Sequence, residues 1–379
     1  MSTSTSELNP EAAQQAIEYC YEQGWTDGLP VIPPTEENVR QFLEREGRDP
    51  EAVLAVAHHL DCSCTIRQAA INAVMAGCLP EYFPVVVAAI EAMWGDPEKG
   101  FGGIMSSTRG PAPMVVVNGP IRREIDLNCE GSLFSPGFRA NATIGRTLHL
   151  VAMNVFGVRP HVLEQATQGT PAKYSLCIGE NEEDSPWEPL HVERGFAPGD
   201  STVTTCLTVG VMPLNVRHTQ HPEKVLLSIA NVMSSVEPTY KGNWIGVIMG
   251  PEHAHLLANA GWSKARVKQF LWEHHGLRLG DLRRQGRGDF EEDMRAERAG
   301  HYALVEEAHP DRRMPGTDKL TDDAFINFSE SPDSILLVVA GANNAGVSTI
   351  VSIESPLGMV QNGKPLTRAI RNVKDVRKL

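Results

Sequence analysis

Residues 114–120, MVVVNGP, open with Met114 and three valines and end in asparagine, glycine and proline. A short β-branched run followed at once by a glycine-containing turn is typical of a buried strand that ends at the edge of a pocket. The pattern returns three more times. Residues 202–211 (TVTTCLTVGV) lead to Asn215, residues 244–249 (WIGVIM) lead to Gly250, and residues 335–340 (ILLVVA) lead to Gly341. We therefore predict a mixed sheet whose strands lead into loops of glycine, asparagine or histidine.

The fold class that follows is α/β, with a helical N-terminal region at residues 1–100 and an α/β domain of strand-loop-helix units at 101–379. Residues 283–325, rich in Arg, Asp, Glu and Gly, predict a polar excursion from that domain. One integrated domain is the alternative. Ligands of open α/β sheets bind beyond the carboxyl ends of the strands, so we expect the site among the strand-end loops. Neither nucleotide-binding fingerprint, G-x-G-x-x-G after a strand or G-x4-G-K-[ST], occurs in the sequence.

A helix, a sharp break and a second helix are predicted for residues 66–95, IRQAAINAVMAGCLPEYFPVVVAAIEAMWG, with Cys78 at the break. Gly77 suits the left-handed end of the first helix, and Pro80 suits the first turn of the second. A thiol at this break could face a cavity near a helix start, where a thiolate is stabilised. The alternative is that Cys78 is a small buried hydrophobic residue. The second helix is apolar all round, which is compatible with a homo-oligomer but does not require one.

Composition excludes several classes of function. The 379 residues have a formal net charge of −13, which argues against nucleic acid as a partner. No apolar run approaches the roughly 20 residues of a membrane span, and the polar start predicts neither a secretory nor a transit peptide. Seven cysteines, an odd number, favour reduced thiols over a disulfide framework. We expect a cytoplasmic protein that binds a small molecule and no membrane.

Several polar residues are candidates for binding a substrate. Asp27 lies in a loop fixed by glycines and prolines, where it suits a pocket wall. Asn141 is a predicted helix cap, and Arg146 near that helix start could bind a carboxylate or phosphate through its guanidinium fork. The alternative is that Arg146 pairs with one of the many acids of the chain. The strand-end loops contribute three further candidates, Asn118, Asn343 and Asn344.

Candidates for acid–base chemistry lie in the acidic segment 180–193 and after the third predicted strand. Glu182 and His191 belong to the first, and His253 to the second. Carboxylates near a histidine can serve proton transfer if they face a pocket. The alternative is a solvated loop of charges.

A metal site is a weaker prediction, because no zinc-type spacing is complete. His218 and His221 form an H-x2-H pair after a strand, and His58 and Cys62 lie in a His/Cys-rich segment. A helix end that carries His and Cys by chance explains the second group equally simply.

Five phrases of the sequence together resemble one protein family: GWTDGLPVIPP (24–34), INAVMAGCLPEYFPVVVAAIEAM (71–93), RANATIGR (139–146), ENEEDSPWEPLHVERGF (180–196) and GPEHAHLLANAGWSK (250–264). The family is a largely uncharacterised bacterial one, associated with small cysteine or selenocysteine proteins that carry a U-G-S-C motif. That motif is absent here, so the resemblance implies a thiol-dependent enzyme or enzyme subunit without selenocysteine chemistry. The residues that match its phrases are Asp27, Asn72, Cys78, Glu81, Asn141, Arg146, Glu180, Asn181, Glu182, His191 and His253.

Three functions follow as hypotheses. The first is a cysteine-dependent enzyme of small-molecule metabolism, reductive or lyase-type, acting on an anionic or carbonyl-containing substrate. Its thiol would be Cys78 and its substrate ligands Arg146 with Asn141. His191 or His253 would move protons, and Glu182 would orient one of them. The second is a metal-dependent hydrolase or hydratase. The third is a non-catalytic partner subunit of a small redox protein. The sequence predicts no particular cofactor and no particular substrate.

Overall fold

The computed structural model describes residues 9–95, 107–236, 244–285, 320–354 and 364–371. Most of the predicted polar excursion at 283–325 lies outside the described residues. The α-helices are α1 (Pro10–Glu22), α2 (Glu36–Glu46), α3 (Ile66–Ala76), α4 (Phe83–Trp94), α5 (Ile121–Glu124), α6 (Arg139–Asn154), α7 (Leu190–Glu193), α8 (Pro222–Val236), α9 (Pro251–Asn259), α10 (Lys264–His274) and α11 (Leu279–Arg284). Within the described ranges, no helix combines the length and apolar character needed to cross a bilayer.

The strands are β1 (Val53–Ala57), β2 (Cys62–Thr65), β3 (Ala112–Asn118), β4 (Cys177–Gly179), β5 (Thr202–Asn215), β6 (Ile245–Met249), β7 (Gly276–Arg278), β8 (Phe325–Asn327), β9 (Ile335–Val339), β10 (Val347–Ile353) and β11 (Leu366–Ala369). Seven of them form one mixed sheet in the order β4-β3-β5-β10-β6-β9, with β11 paired to β5. The predicted α/β class is therefore confirmed. The four predicted strands correspond to β3, β5, β6 and β9, each an apolar run that leads into a loop containing glycine or asparagine.

The main sheet consists of two halves with the same topology. In the first half β3 is followed by helices, then by β4 parallel to it, then by β5 antiparallel to it. In the second half β6, β9 and β10 follow in the same order and with the same directions. The halves join where β5 and β10 pair antiparallel. In both, the first strand ends at a Gly-Pro pair, Gly119-Pro120 and Gly250-Pro251.

The sheet curls until the ends of its outer strands meet. Asn181 N, just after β4, donates a hydrogen bond of 2.8 Å to the carbonyl oxygen of Val339, the last residue of β9. Gly341 N, in the loop after β9, donates at 2.9 Å to the carbonyl oxygen of Cys129, in the segment between α5 and α6. Loops from both halves are thereby held together at one end of the sheet.

The N-terminal helices share a hydrophobic core with the sheet. Buried residues of α3 and α4 belong to the same cluster as Val115 of β3 and Val203 of β5. The break predicted between α3 and α4 is present, and Gly77 has φ +92° as a left-handed cap. It is longer than predicted, because Pro80 opens a 3-10 turn and α4 begins only at Phe83. α4 is buried on nearly all sides within this chain.

Candidate functional site

The end of β3 brings two carboxyl groups to one asparagine. Asn118, the last residue of β3, donates through Nδ2 to Glu180 Oε2 at 2.5 Å and to Glu182 Oε1 at 2.9 Å. Gly119 N donates to the same Glu182 oxygen at 2.7 Å. Gly119 has φ +84°, and a Cβ there would lie 2.1 Å from the carbonyl oxygen of Asp200, so only glycine fits. The Asn-Gly pair at the strand end thus positions both carboxyl groups.

Glu180 and Glu182 lie in different surroundings although they share Asn118. Glu180 is fully buried, and its Oε2 also accepts a hydrogen bond of 2.8 Å from Leu190 N. Burial raises the pKa of Glu180 above its ordinary value. The Glu182 side chain is 13% exposed, so it is the member of the pair that another molecule can reach. Two carboxyl groups in such unlike surroundings are typical of sites that separate an acid from a base.

Three buried polar atoms around this pair have no hydrogen-bond partner among the described residues: Asn118 Oδ1, Glu180 Oε1 and His191 Nδ1. His191 is fully buried in α7, and its Nδ1 lies 3.8 Å from Glu182 Oε1, which is too long for a hydrogen bond. Its Nε2 lies 3.4 Å from the carbonyl oxygen of Pro198. Buried polar atoms in proteins are almost always paired, so three unpaired ones in a single network suit ligand binding better than stability.

Arg122 is a buried side chain that fixes the acidic loop at residues 180–183. The side chain is 2% exposed and donates to the carbonyl oxygens of Gly119 at 3.0 Å and Glu180 at 2.5 Å. It bonds Glu183 with two nitrogens, each at 3.1 Å, and its Nη2 lies 2.9 Å from Glu182 Oε2. Burial by itself would lower the pKa of Arg122, but the hydrogen bond to Glu183 and the carboxylate charges raise it overall. Burial likewise opposes ionisation of Glu183, yet its bonds to arginine hold the pKa of Glu183 at about 2.

Cys129 is the thiol of this site, and the sequence reasoning missed it. Its Sγ lies 3.7 Å from Arg122 Nη1, and the residue is 9% exposed. Burial raises the pKa of the Cys129 thiol in spite of the neighbouring guanidinium, so the group is protonated at neutral pH.

Asn141 holds the loop that carries Cys129. Its Oδ1 accepts from Asn128 N at 2.8 Å, and its Nδ2 donates to the carbonyl oxygens of Asn128 and Cys177, each at 3.0 Å. The predicted helix cap at Asn141 is wrong, because α6 begins at Arg139 and the Asn141 side chain bonds this loop instead.

We refer to Asn118, Arg122, Cys129, Glu180, Glu182, Glu183 and His191 as the strand-end cluster. The second half of the sheet borders it mostly through backbone groups. Asn181 Nδ2 donates to the carbonyl oxygen of Gly341 at 3.1 Å, and Asp184 Oδ1 lies 2.8 Å from His255 Nε2. Asn343 Nδ2 is 3.5 Å from the same Asp184 oxygen. Of the predicted residues, Asn118, Glu182 and His191 therefore belong to the cluster, while Asn141 and Asn343 lie at its border.

Cys78 lies in different surroundings. It is 5% exposed within the core shared by the N-terminal helices and the sheet, and its Sγ is 3.3 Å from Thr147 Oγ1 of α6. Burial raises the pKa of its thiol, against smaller opposing effects of Thr143, Thr147 and Arg139. The expectation of a stabilised thiolate at this break is therefore wrong, since desolvation outweighs the hydrogen bonds there.

His253 and Asn344 do not join the cluster through any contact of the described residues. His253 is 1% exposed in α9, with Nδ1 2.8 Å from Ser348 Oγ and Nε2 3.3 Å from the carbonyl oxygen of Val216. Burial lowers its pKa, so the ring is neutral. It fastens α9 to β10 and to the end of β5. Asn344 is exposed in the loop after β9.

Asp27 and Arg146 pair with each other. The guanidinium bonds both carboxylate oxygens, at 2.8 and 2.7 Å, which is the acid-pairing alternative expected for this arginine. Asp27 borders a cavity of about 630 Å³ together with His149, Lys173 and Tyr174. Burial and the nearby Lys173 charge lower the pKa of His149 to about 4. These two predicted substrate ligands thus line or support a cavity separate from the strand-end cluster.

The candidate metal ligands are dispersed. His218 and His221 are exposed after β5, His58 is exposed in a 3-10 turn, and Cys62 Sγ bonds the carbonyl oxygen of Leu60 at 3.2 Å. Among the residues described, no three His, Cys, Asp or Glu side chains are grouped closely enough to hold a metal ion.

Comparison with known proteins identified no similar protein. No family model, no curated protein and no solved structure matches the chain. The resemblance of the five phrases to a bacterial family stays a prediction.

Proposed function

We propose that the protein is a lyase-type enzyme of small-molecule metabolism, acting on an anionic or carbonyl-containing substrate at the strand-end cluster. The proposal is carried by one observation: three buried polar atoms without a hydrogen-bond partner among the described residues lie in the network of Glu182, whose carboxyl group is partly exposed. In enzymes, groups of this kind bond the polar atoms of a substrate and become fully paired only when it is bound.

Glu182 is the proposed general base. Its Oε1 is oriented by Asn118 and Gly119, and its Oε2 by Arg122, so the carboxyl group is fixed before a substrate arrives. It would take a proton from the carbon next to a carbonyl or carboxylate group. His191 Nδ1 lies 3.8 Å from this carboxyl group and has no hydrogen-bond partner among the described residues, so it is free to bond a polar atom of the substrate.

Cys129 takes the role that the sequence analysis gave to Cys78. Its thiol and the Glu182 carboxyl group contact the same guanidinium, that of Arg122. The protonated thiol can give a proton to the departing group while Glu182 takes one from carbon. Transfer of a proton from the Glu182 carboxyl group to the resulting Cys129 thiolate then restores both groups. Arg122 itself is a positioning residue, because its nitrogens are occupied by protein oxygens. All seven cysteines are free, which supports a reducing compartment such as the cytoplasm.

The test is proton exchange in D₂O, followed by NMR, with small 2-oxo, 2-hydroxy and 3-hydroxy acids as probes. We expect the full chain to catalyse exchange or elimination on at least one class. Glu182→Gln should lower that rate by about 100-fold or more, the usual effect of losing a general base. Cys129→Ala should lower it as well, whereas Cys78→Ala and Asn343→Ala should retain most of it. Full activity of Glu182→Gln would overturn the proposal, as would the absence of exchange on every class.

A further inference from the structure

A second cleft, polar in character, is lined in part by α7, the helix that also contributes His191 to the strand-end cluster. Its volume is about 490 Å³. Three cationic side chains line it, Arg194, Lys268 and Lys364, and two acidic ones, Glu193 and Asp333. Its apolar walls include Phe196 and Trp244.

Arg194 is the residue that sets this cleft apart. Its Nη1 donates to the carbonyl oxygen of Pro365 at 2.6 Å, and within the described residues no carboxylate oxygen lies within ion-pairing distance of the guanidinium. Burial lowers the pKa of Arg194, and the Glu193 charge offsets this only in part. A half-buried guanidinium with no carboxylate beside it is a favourable place for an anion to bind.

The neighbouring charges do not supply that anion. Glu193 accepts Lys264 and Lys268, each at 2.7 Å, so two ammonium groups already share its single charge. Asp333 lies 3.7 Å from Lys268 and its side chain is 93% exposed, where water screens it. Lys364 is exposed at the rim. The cleft is therefore cationic on a chain whose formal charge is −13.

We propose that this cleft binds a small organic molecule through a phosphate or carboxylate group. The oxyanion would sit against the Arg194 fork, with Lys364 closing over it and Phe196 and Trp244 flanking the rest of the molecule. The proposal is independent of catalysis at Glu182, although α7 contributes to both places through His191 and Glu193.

Calorimetric titration of the full chain at low ionic strength tests the site, with inorganic phosphate and acetate as separate probes. We expect one binding site per chain for at least one probe. The probe with the higher affinity identifies the anionic group of the ligand as phosphate or carboxylate. Arg194→Gln should weaken binding by about tenfold or more, as loss of a charge-assisted bidentate contact does. Lys364→Gln should weaken it by about threefold, the effect of an exposed charge.

Matched controls are Arg217→Gln and Lys224→Gln, two exposed cations after β5 and in α8, which should bind like wild type. Glu182→Gln should also bind normally, so failure here is distinct from failure of the proposed enzyme activity. If Arg194→Gln does not fold, Lys364→Gln still tests the proposal, because replacing an exposed side chain should leave the fold intact. Equal affinity in the cleft variants and the controls, or no binding of either probe, overturns the proposal.

Discussion

The two halves of the main sheet have the same topology and different chemistry. At the Gly-Pro pair of the first half, β3 ends in Asn118, and the third residue after the glycine is Arg122, which bonds two carboxylates. At the Gly-Pro pair of the second half, β6 ends in Met249, and the residue in Arg122's position is His253, a neutral ring bonded to Ser348. The same backbone position carries an ionic network in one half and an uncharged anchor in the other.

This difference locates the candidate chemistry. The first half contributes the side chains of the strand-end cluster, whereas the second half meets it through the backbone of Val339 and Gly341. In a duplicated topology, one half can therefore keep a purely structural role while the other half acquires polar side chains that can act on a ligand.

Replacing the side chains at the two equivalent positions should have very unequal effects. Arg122→Met leaves Glu182 and Glu183 without their buried partner, so we expect a loss of about 3–5 kcal/mol in the free energy of unfolding. His253→Gln keeps one hydrogen bond and removes no charge, so the loss should be about 1 kcal/mol. Urea unfolding at neutral pH measures both, and similar losses would contradict the distinction between the halves.

Acid should destabilise the second half through His275, the residue that follows α10. Burial lowers the pKa of His275 to about 4, below its ordinary value of 6.5. As the pH falls, the unfolded chain therefore binds this proton at a higher pH than the folded chain does. The free energy of unfolding is fully present above about pH 6.5 and decreases towards pH 4. The slope from this group is at most about 1.4 kcal/mol per pH unit.

His275→Gln should flatten that slope in urea unfolding between pH 7 and 4. His149 of the first half titrates in the same direction, but it is present in both proteins and cancels in the comparison. An unchanged slope in the variant would show that His275 is not the group responsible.

Glu180 should act with the opposite sign. Its folded pKa is raised, so the stability it contributes is present below its ordinary value of 4.5 and is lost as the pH rises. Glu180→Gln cannot ionise and keeps an oxygen to accept from Asn118 and Leu190. We expect the variant to be about 1 kcal/mol more stable than wild type at pH 7, a gain typical of relieving functional strain. The gain should vanish below pH 4.5, and a variant less stable at pH 7 would refute the assignment.

The sequence predicted elements better than it predicted contacts. The strands β3, β5, β6 and β9 were found because each is a compact buried run that needs no distant partner to be recognised. The duplication was missed because each half spans about a hundred residues, beyond the short periods by which repeats are usually detected, and little but Gly-Pro is shared. Cys129 was missed for a related reason: its surroundings depend on Arg122 and on the Asn141 side chain, and neither contact leaves a pattern in the residues beside it.

The smallest effect is expected where the halves meet. The side-chain amides of Asn181 and Asn343 both contact the opposite half. Asn181 is buried and its Nδ2 donates to the carbonyl oxygen of Gly341 at 3.1 Å. Asn343 is exposed, and its Nδ2 lies 3.5 Å from Asp184 Oδ1. Asn343→Ala should change the free energy of unfolding by less than about 0.5 kcal/mol, because water replaces a weak exposed contact. Asn181→Ala should cost about 1 kcal/mol or more, because the carbonyl oxygen of Gly341 loses its partner. Urea midpoints of the two variants compare them directly. If Asn343→Ala proved the more damaging, the second half would be supplying side-chain chemistry after all, and the division of roles between the halves would have to be redrawn.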